Sequence, residues 1–96
     1  MSTTTESQLI DLLGRAGSAH GVYEEGELGG VYDQNWPQWY ASYMLNHGLG
    51  TLLERELTEN AVARWLADCD ASYGRERPSV GWPAYYAARV DKLLES

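Results

Sequence analysis

Aromatic rings at helical spacing constrain this chain more than any other feature. Trp36, Trp39, Tyr40, Tyr43, Met44 and His47 fall at i, i+3, i+4, i+7, i+8 and i+11, one continuous face of an α-helix. An extended strand would scatter the same rings over both of its faces. The stripe opens with Asn35-Trp36-Pro37. Asn is a favoured N-cap, and Pro fits the first turn, where its missing N–H has no intrahelical partner to lose. Gly48 supplies a stop.

The pattern returns later in the chain. Trp36-Pro37-Gln38-Trp39-Tyr40-Ala41 lies on Trp82-Pro83-Ala84-Tyr85-Tyr86-Ala87 at an offset of 46, and beyond it Tyr43 matches Arg89, Met44 matches Val90 and His47 matches Leu93. The helices before these also align, at an offset of 50: Leu12 with Val62, Ala16 with Leu66, Ala19 with Cys69 and Tyr23 with Tyr73. A repeated helix–loop–helix unit buries a face that one copy cannot bury alone. The expected fold is therefore all-α, a small four-helix arrangement of two quasi-repeated hairpins. The halves run over about 5–48 and 57–94 of a single domain spanning 1–96, and the Trp-Pro helices meet near the centre.

Other signals place the remaining elements. The first helix runs from Thr5, whose pairing with Gln8 matches a capping box, to about Glu25. It buries Leu9, Leu12, Leu13, Ala16, Ala19, His20 and Tyr23. Gly14, Gly17 and Gly21 each weaken it by about 0.8–1 kcal/mol relative to Ala, and mark Gly17 to Gly21 as the place for a kink or early stop. Close approach of another helix would compensate. Gly26 to Asn35 reads as a loop, and Leu49 to Leu57 as a short helix or turn between the halves. Thr58 is the expected N-cap of a third helix, Glu59 to about Tyr73, with Leu57 and Val62 as its hydrophobic staple and Gly74 as its stop. A fourth helix runs from Trp82 to about Leu94.

Composition limits function. Four Trp, seven Tyr and no Phe mean that every ring carries a polar group needing a partner when buried. Fourteen acids against seven bases give a net charge of −7, a poor basis for neutralising nucleic-acid phosphates. No apolar run approaches the roughly 20 residues that span a bilayer. The first residues carry no basic start and apolar core of an export signal, and the single Cys69 makes no internal disulfide. A cytoplasmic location is the expectation.

The candidate binding residues are the rings and their helix mates: Trp36, Trp39, Tyr40, Tyr43 and His47 on one helix, Trp82, Tyr85, Tyr86 and Arg89 on the other. They suit a pocket for a small apolar ligand, a protein partner or self-association as a homodimer, with an ordinary aromatic core as the plain alternative. His47 is either a base or ligand beside the rings, or a helix-end residue whose cationic form suits the dipole. Arg89 can stack on a ring, pair with a carboxylate or reach over an aromatic to solvent. His20 and Glu24 share a helical face, but the Glu-x-x-His and His-Glu-x-x-His patterns of metal sites are absent. Cys69 lies on a buried stripe without a cationic neighbour in sequence, unlike a reactive thiol. Arg75 and Arg77 form the one local basic spot, diluted by Glu76.

These features favour a non-enzymatic helical binding module without metal or cofactor, one that binds neither nucleic acid nor membrane. The alternative is a small enzyme or enzyme subunit with Tyr43, His47 and Asp33 as its acid–base set. An acidic regulator covering a basic surface is a third reading.

Overall fold

The computed structural model describes residues 3–30 and 33–95. Met1, Ser2 and Ser96, the ends of the expected domain, and Val31 and Tyr32 of the first loop lie outside the described residues. The described chain is all-α: α1 (Thr3–Gly26), α2 (Trp36–Asn46), α3 (Leu49–Leu53), α4 (Glu59–Glu76), α5 (Trp82–Ala87) and α6 (Val90–Leu94). The most extensive packing is between α2 and α4; α1 packs on both α2 and α5, and α4 also packs on α5. Each Trp-Pro helix thus lies between the two long helices, and α2 and α5 sit diagonally with no comparable backbone packing between them. The expected central meeting of the two is made by side chains alone, Tyr40 against Trp82 at 6.1 Å between ring centroids.

One end of the molecule is aliphatic. Leu9, Leu12 and Leu13 of α1, Met44 of α2, Leu49 of α3, Val62 and Leu66 of α4 and Leu93 of α6 are essentially inaccessible. Each such aliphatic side chain contributes about 1.5–3 kcal/mol of transfer free energy. Arg55, just past α3, donates from Nη1 to the carbonyl of Leu94 at 2.8 Å and ties the C-terminal turn to the segment joining the halves. The other end is aromatic and contains the candidate site.

Four boundaries differ from the sequence reading, each for a local reason. Thr5 lies inside α1 instead of capping it. α1 passes unbroken through Gly17 and Gly21 because Gly17 is a packing notch: a Cβ there would lie 2.9 Å from Cζ2 of Trp82 and 3.6 Å from the Tyr40 hydroxyl. α4 runs through Gly74 to Glu76 and stops where Arg77 turns left-handed (φ 46°) ahead of Pro78, which disfavours helical geometry in the residue before it. The last helix breaks in two at Ala88 and Arg89. Buried Trp65 needs an acceptor for its indole N–H and takes the Arg89 carbonyl at 3.0 Å, while the Arg89 N–H closes a tight bond to the Tyr86 carbonyl.

Other expectations are met directly. Thr58 caps α4, its hydroxyl accepting from the Ala61 N–H at 3.1 Å. α2 ends at Asn46, followed by Gly48 at φ 96°.

Candidate functional site

The start of α2 is built by Asp33. After α1, Gly29 and Gly30 both take positive φ, a geometry costly for other residues, and the Gly30 N–H returns to the Glu24 carbonyl at 2.8 Å. Asp33 thereby comes to lie over the last turns of α1. Its N–H donates to Glu24 Oε2 at 3.1 Å, its Oδ1 accepts from the Asn35 N–H at 2.9 Å, and its carbonyl accepts from the Trp36 N–H at 3.2 Å. Asn35 makes no side-chain cap; its carbonyl receives the Gln38 and Trp39 N–H groups, and Asp33 does the side-chain work expected of it.

The other carboxylate oxygen of Asp33 meets Nε2 of His20 at 3.0 Å, and Nδ1 of His20 faces Glu24 Oε1 at 3.6 Å. His20 and Asp33 are both buried. A buried polar side chain is tolerated when it is paired, and this pair is. The His20 ring also packs against Trp39 (5.0 Å) and Tyr40 (4.9 Å), so the pair is roofed by rings.

Beside this pair is a cleft of about 360 Å³ among α1, α2, α4 and α5. α1 contributes His20 and Glu24, and α2 contributes Trp36 and Tyr40. α4 supplies Asp70 and Tyr73, and α5 supplies Trp82 and Tyr86. Edge-to-face contacts fix the rings: Trp36 on Tyr40 at 5.5 Å, Tyr40 on Trp82 at 6.1 Å, Trp82 on Tyr86 at 5.1 Å. The Tyr86 hydroxyl donates to Asp70 Oδ1 at 3.3 Å. Burial, and then the Asp70 carboxylate, push the Tyr86 phenol far above its usual range. Burial and Glu24 raise Tyr40 as well. Both phenols therefore stay neutral hydrogen-bond donors through the physiological range.

Of the residues singled out in the sequence, Trp36, Tyr40, Trp82 and Tyr86 line this cleft. Trp39, Tyr43 and His47 do not. They continue from Tyr23 as a ladder of stacked rings, with centroids 5.4, 5.5 and 4.0 Å apart along the series. Tyr85 is buried on the far side, edge-on to Tyr73 at 5.2 Å, with the Arg89 guanidinium 4.5 Å from its centroid. Arg89 also pairs with Glu76 at 2.8 Å, so it both stacks and pairs.

The proposed acid–base set is not assembled. Asp33 precedes α2 and His47 follows it, separated by a helix of 11 residues, about 16 Å of rise. His47 is exposed, stacked on Tyr43, with Nδ1 2.8 Å from the Tyr43 carbonyl. The histidine that does meet Asp33 is His20, and no spacing rule links residues 13 apart across a glycine turn. Tyr73 and Asp70 were also missed as cleft residues. Tyr73 enters the sequence reading only as the match of Tyr23 and the end of the third helix, although Asp70 lies three places before it on the same helix.

A smaller cleft of about 250 Å³ holds Cys69 with Arg64, Arg89 and Lys92. Burial pushes that thiol up to about 12, with Arg89 only partly opposing, so it is inert as a nucleophile. Among the described residues no three His, Cys, Asp or Glu side chains are grouped as metal ligands, and no helix is long and apolar enough to cross a membrane. No protein-family model, curated protein or solved structure matches this chain.

Proposed function

We propose that this chain is a non-enzymatic binding module that receives a small ligand in the cleft among α1, α2, α4 and α5. The observation that carries the reading is the convergence of five rings from three helices on one concavity of about 360 Å³, within the size range of ligand pockets. Rings in an ordinary core would close on each other; here Trp36, Tyr40, Tyr73 and Trp82 pack on the core with one side and stay partly exposed around open space with the other. Among large apolar side chains of the described residues, only Val22 and Val80 are well exposed, which favours a cleft over a broad self-association surface.

The test is a ligand panel followed by amide and indole nuclear magnetic resonance. Ligands in the cleft shift the indole N–H signals of Trp36 and Trp82 and leave that of Trp65, bound to the Arg89 carbonyl, in place. A panel of apolar, aromatic and charged small molecules that moves neither cleft indole overturns the reading.

The enzyme alternative draws on one observation, the pairing of the cleft-lining His20 with Asp33. Carboxylates on both sides of the imidazole suit a strut better than a base facing substrate. Hydrolysis of simple esters that is lost in His20→Gln and kept in Asp70→Asn would favour that alternative.

A further inference from the structure

We infer that the occupant of this cleft is an organic cation with an apolar shell, an alkylated ammonium group. The inference rests on the binding reading above and names its ligand class. Its ground is the pairing of chemistries in one lining. Trp36, Tyr40, Trp82 and Tyr86 offer aromatic surface, while Glu24 on α1 and Asp70 on α4 bring carboxylates from two different helices. No Lys or Arg lines the cleft. The imidazole of His20 already has Asp33 at 3.0 Å.

Each ligand class meets this lining differently. An anion is repelled by both carboxylates and by the net charge of −7. A neutral apolar molecule covers the rings but strips water from Glu24 and Asp70 without replacing it. A metal ion needs several oxygen or nitrogen ligands, and no such group is assembled among the described residues. An alkylated ammonium satisfies both halves: its charge faces the carboxylates and ring faces, and its alkyl shell is weakly hydrated. Both carboxylates are held in place beforehand, Glu24 by the Asp33 N–H and Asp70 by the Tyr86 hydroxyl. Pre-positioned groups lose little freedom on binding.

Choline and its uncharged carbon isostere, the same alcohol with a tert-butyl group in place of trimethylammonium, isolate the charge. Titrations of the full chain, read by the Trp36 and Trp82 indole signals, are expected to show choline binding about tenfold tighter than the isostere. Glu24→Gln, which keeps an acceptor for the Asp33 N–H, and Asp70→Asn, at an exposed helix position, are each expected to weaken choline several-fold and leave the isostere unchanged. A peptide carrying one trimethyllysine distinguishes the source: tighter binding than choline assigns the cation to a protein side chain, weaker binding to a free molecule, and both support the inference. Equal or tighter binding of the isostere overturns it while sparing the binding reading. Failure of choline, isostere and peptide alike to move the cleft indoles overturns it too, and the broader panel then decides the binding reading separately.

Discussion

Helices α2 and α5 begin with the same Trp-Pro pair and reach opposite ends. α2 runs 11 residues and keeps Trp36, Trp39, Tyr40 and Tyr43 half-buried; α5 stops after six and buries Tyr85 and Tyr86. The difference originates on α4. Trp65 takes the Arg89 carbonyl, and the chain turns there into α6. Nothing on α4 makes that demand of α2, whose rings remain partly free to form a cleft wall and a surface ladder. Equal local patterns therefore yield a packed helix where a buried neighbour needs a backbone acceptor, and an open one where none does.

Alkali should attack the α5 side with the largest effect. The Cys69 thiol, pushed up to about 12 by burial, and the Tyr86 phenol, pushed higher still, keep their protons in the folded chain. The unfolded chain releases them near 9 and 10, so the folded state binds more protons and stability falls as pH rises from about 9 toward 12. Helical circular dichroism is expected to be steady up to pH ~9 and to be lost above it. Cys69→Ala should move the onset upward; an unmoved onset would show that the thiol is not held neutral by the fold.

Asp33→Ala tests how α2 is started. It leaves His20 buried without its partner and removes the acceptor for the Asn35 N–H, for an expected loss of about 3 kcal/mol in urea unfolding. Asn35→Ala, whose side chain makes no cap bond, should cost far less. Similar losses for both would put the start of α2 back on Asn35.

Trp65→Phe addresses the break between α5 and α6. Loss of the indole N–H and of ring volume is expected to cost about 2 kcal/mol and to speed hydrogen exchange at Ala88 and Arg89. The half-buried Trp39→Phe on α2 should cost about half as much. A protected, unchanged Arg89 amide in Trp65→Phe would mean the turn forms without the indole.

Glycines on α1 give a smaller effect with a change of sign. Gly21→Ala meets open space and should gain about 0.5–1 kcal/mol from helix propensity. Gly17→Ala places a methyl against the rigid Trp82 ring and should lose about 1 kcal/mol despite the same propensity gain. Stabilisation by both would show that Trp82 yields freely and is not seated in a notch.

The contrast also explains what was legible beforehand. Period and caps suffice where the decisive partners are local: the α2 stripe, Gly48, Thr58 with Ala61, and the buried faces of α1 and α4 around Leu12, Leu13, Val62 and Leu66. They fail where a distant side chain decides. The break at Arg89 depends on Trp65, the continuity of α1 at Gly17 on Trp82, and the pairing of buried His20 on a residue, Asp33, reached across a turn. Half of the cleft was visible as ring-bearing stripes. Its carboxylates were not, because Glu24 and Asp70 look like ordinary helix-surface acids until α1 and α4 are set around the same space.

The rule that each buried ring must find a polar partner has its own test in two adjacent residues of α5. Trp65, Tyr73 and Tyr86 obey it, donating to the Arg89 carbonyl, the Val80 carbonyl and Asp70. The buried hydroxyl of Tyr85 makes no hydrogen bond of good geometry among the described residues and lies beside Arg89 and Glu76, which are paired with each other. Removing an unsatisfied hydroxyl relieves a desolvation penalty, whereas removing a bonded one forfeits a net ~1 kcal/mol. Tyr85→Phe, which keeps the ring under the Arg89 guanidinium, is thus expected to be neutral or to gain up to about 0.5 kcal/mol, and Tyr86→Phe to lose about 1 kcal/mol. Matched urea titrations of the two variants decide it: a loss at Tyr85 as large as that at Tyr86 would mean its hydroxyl shares in the Arg89–Glu76 pair in solution, and that α5 satisfies all of its rings.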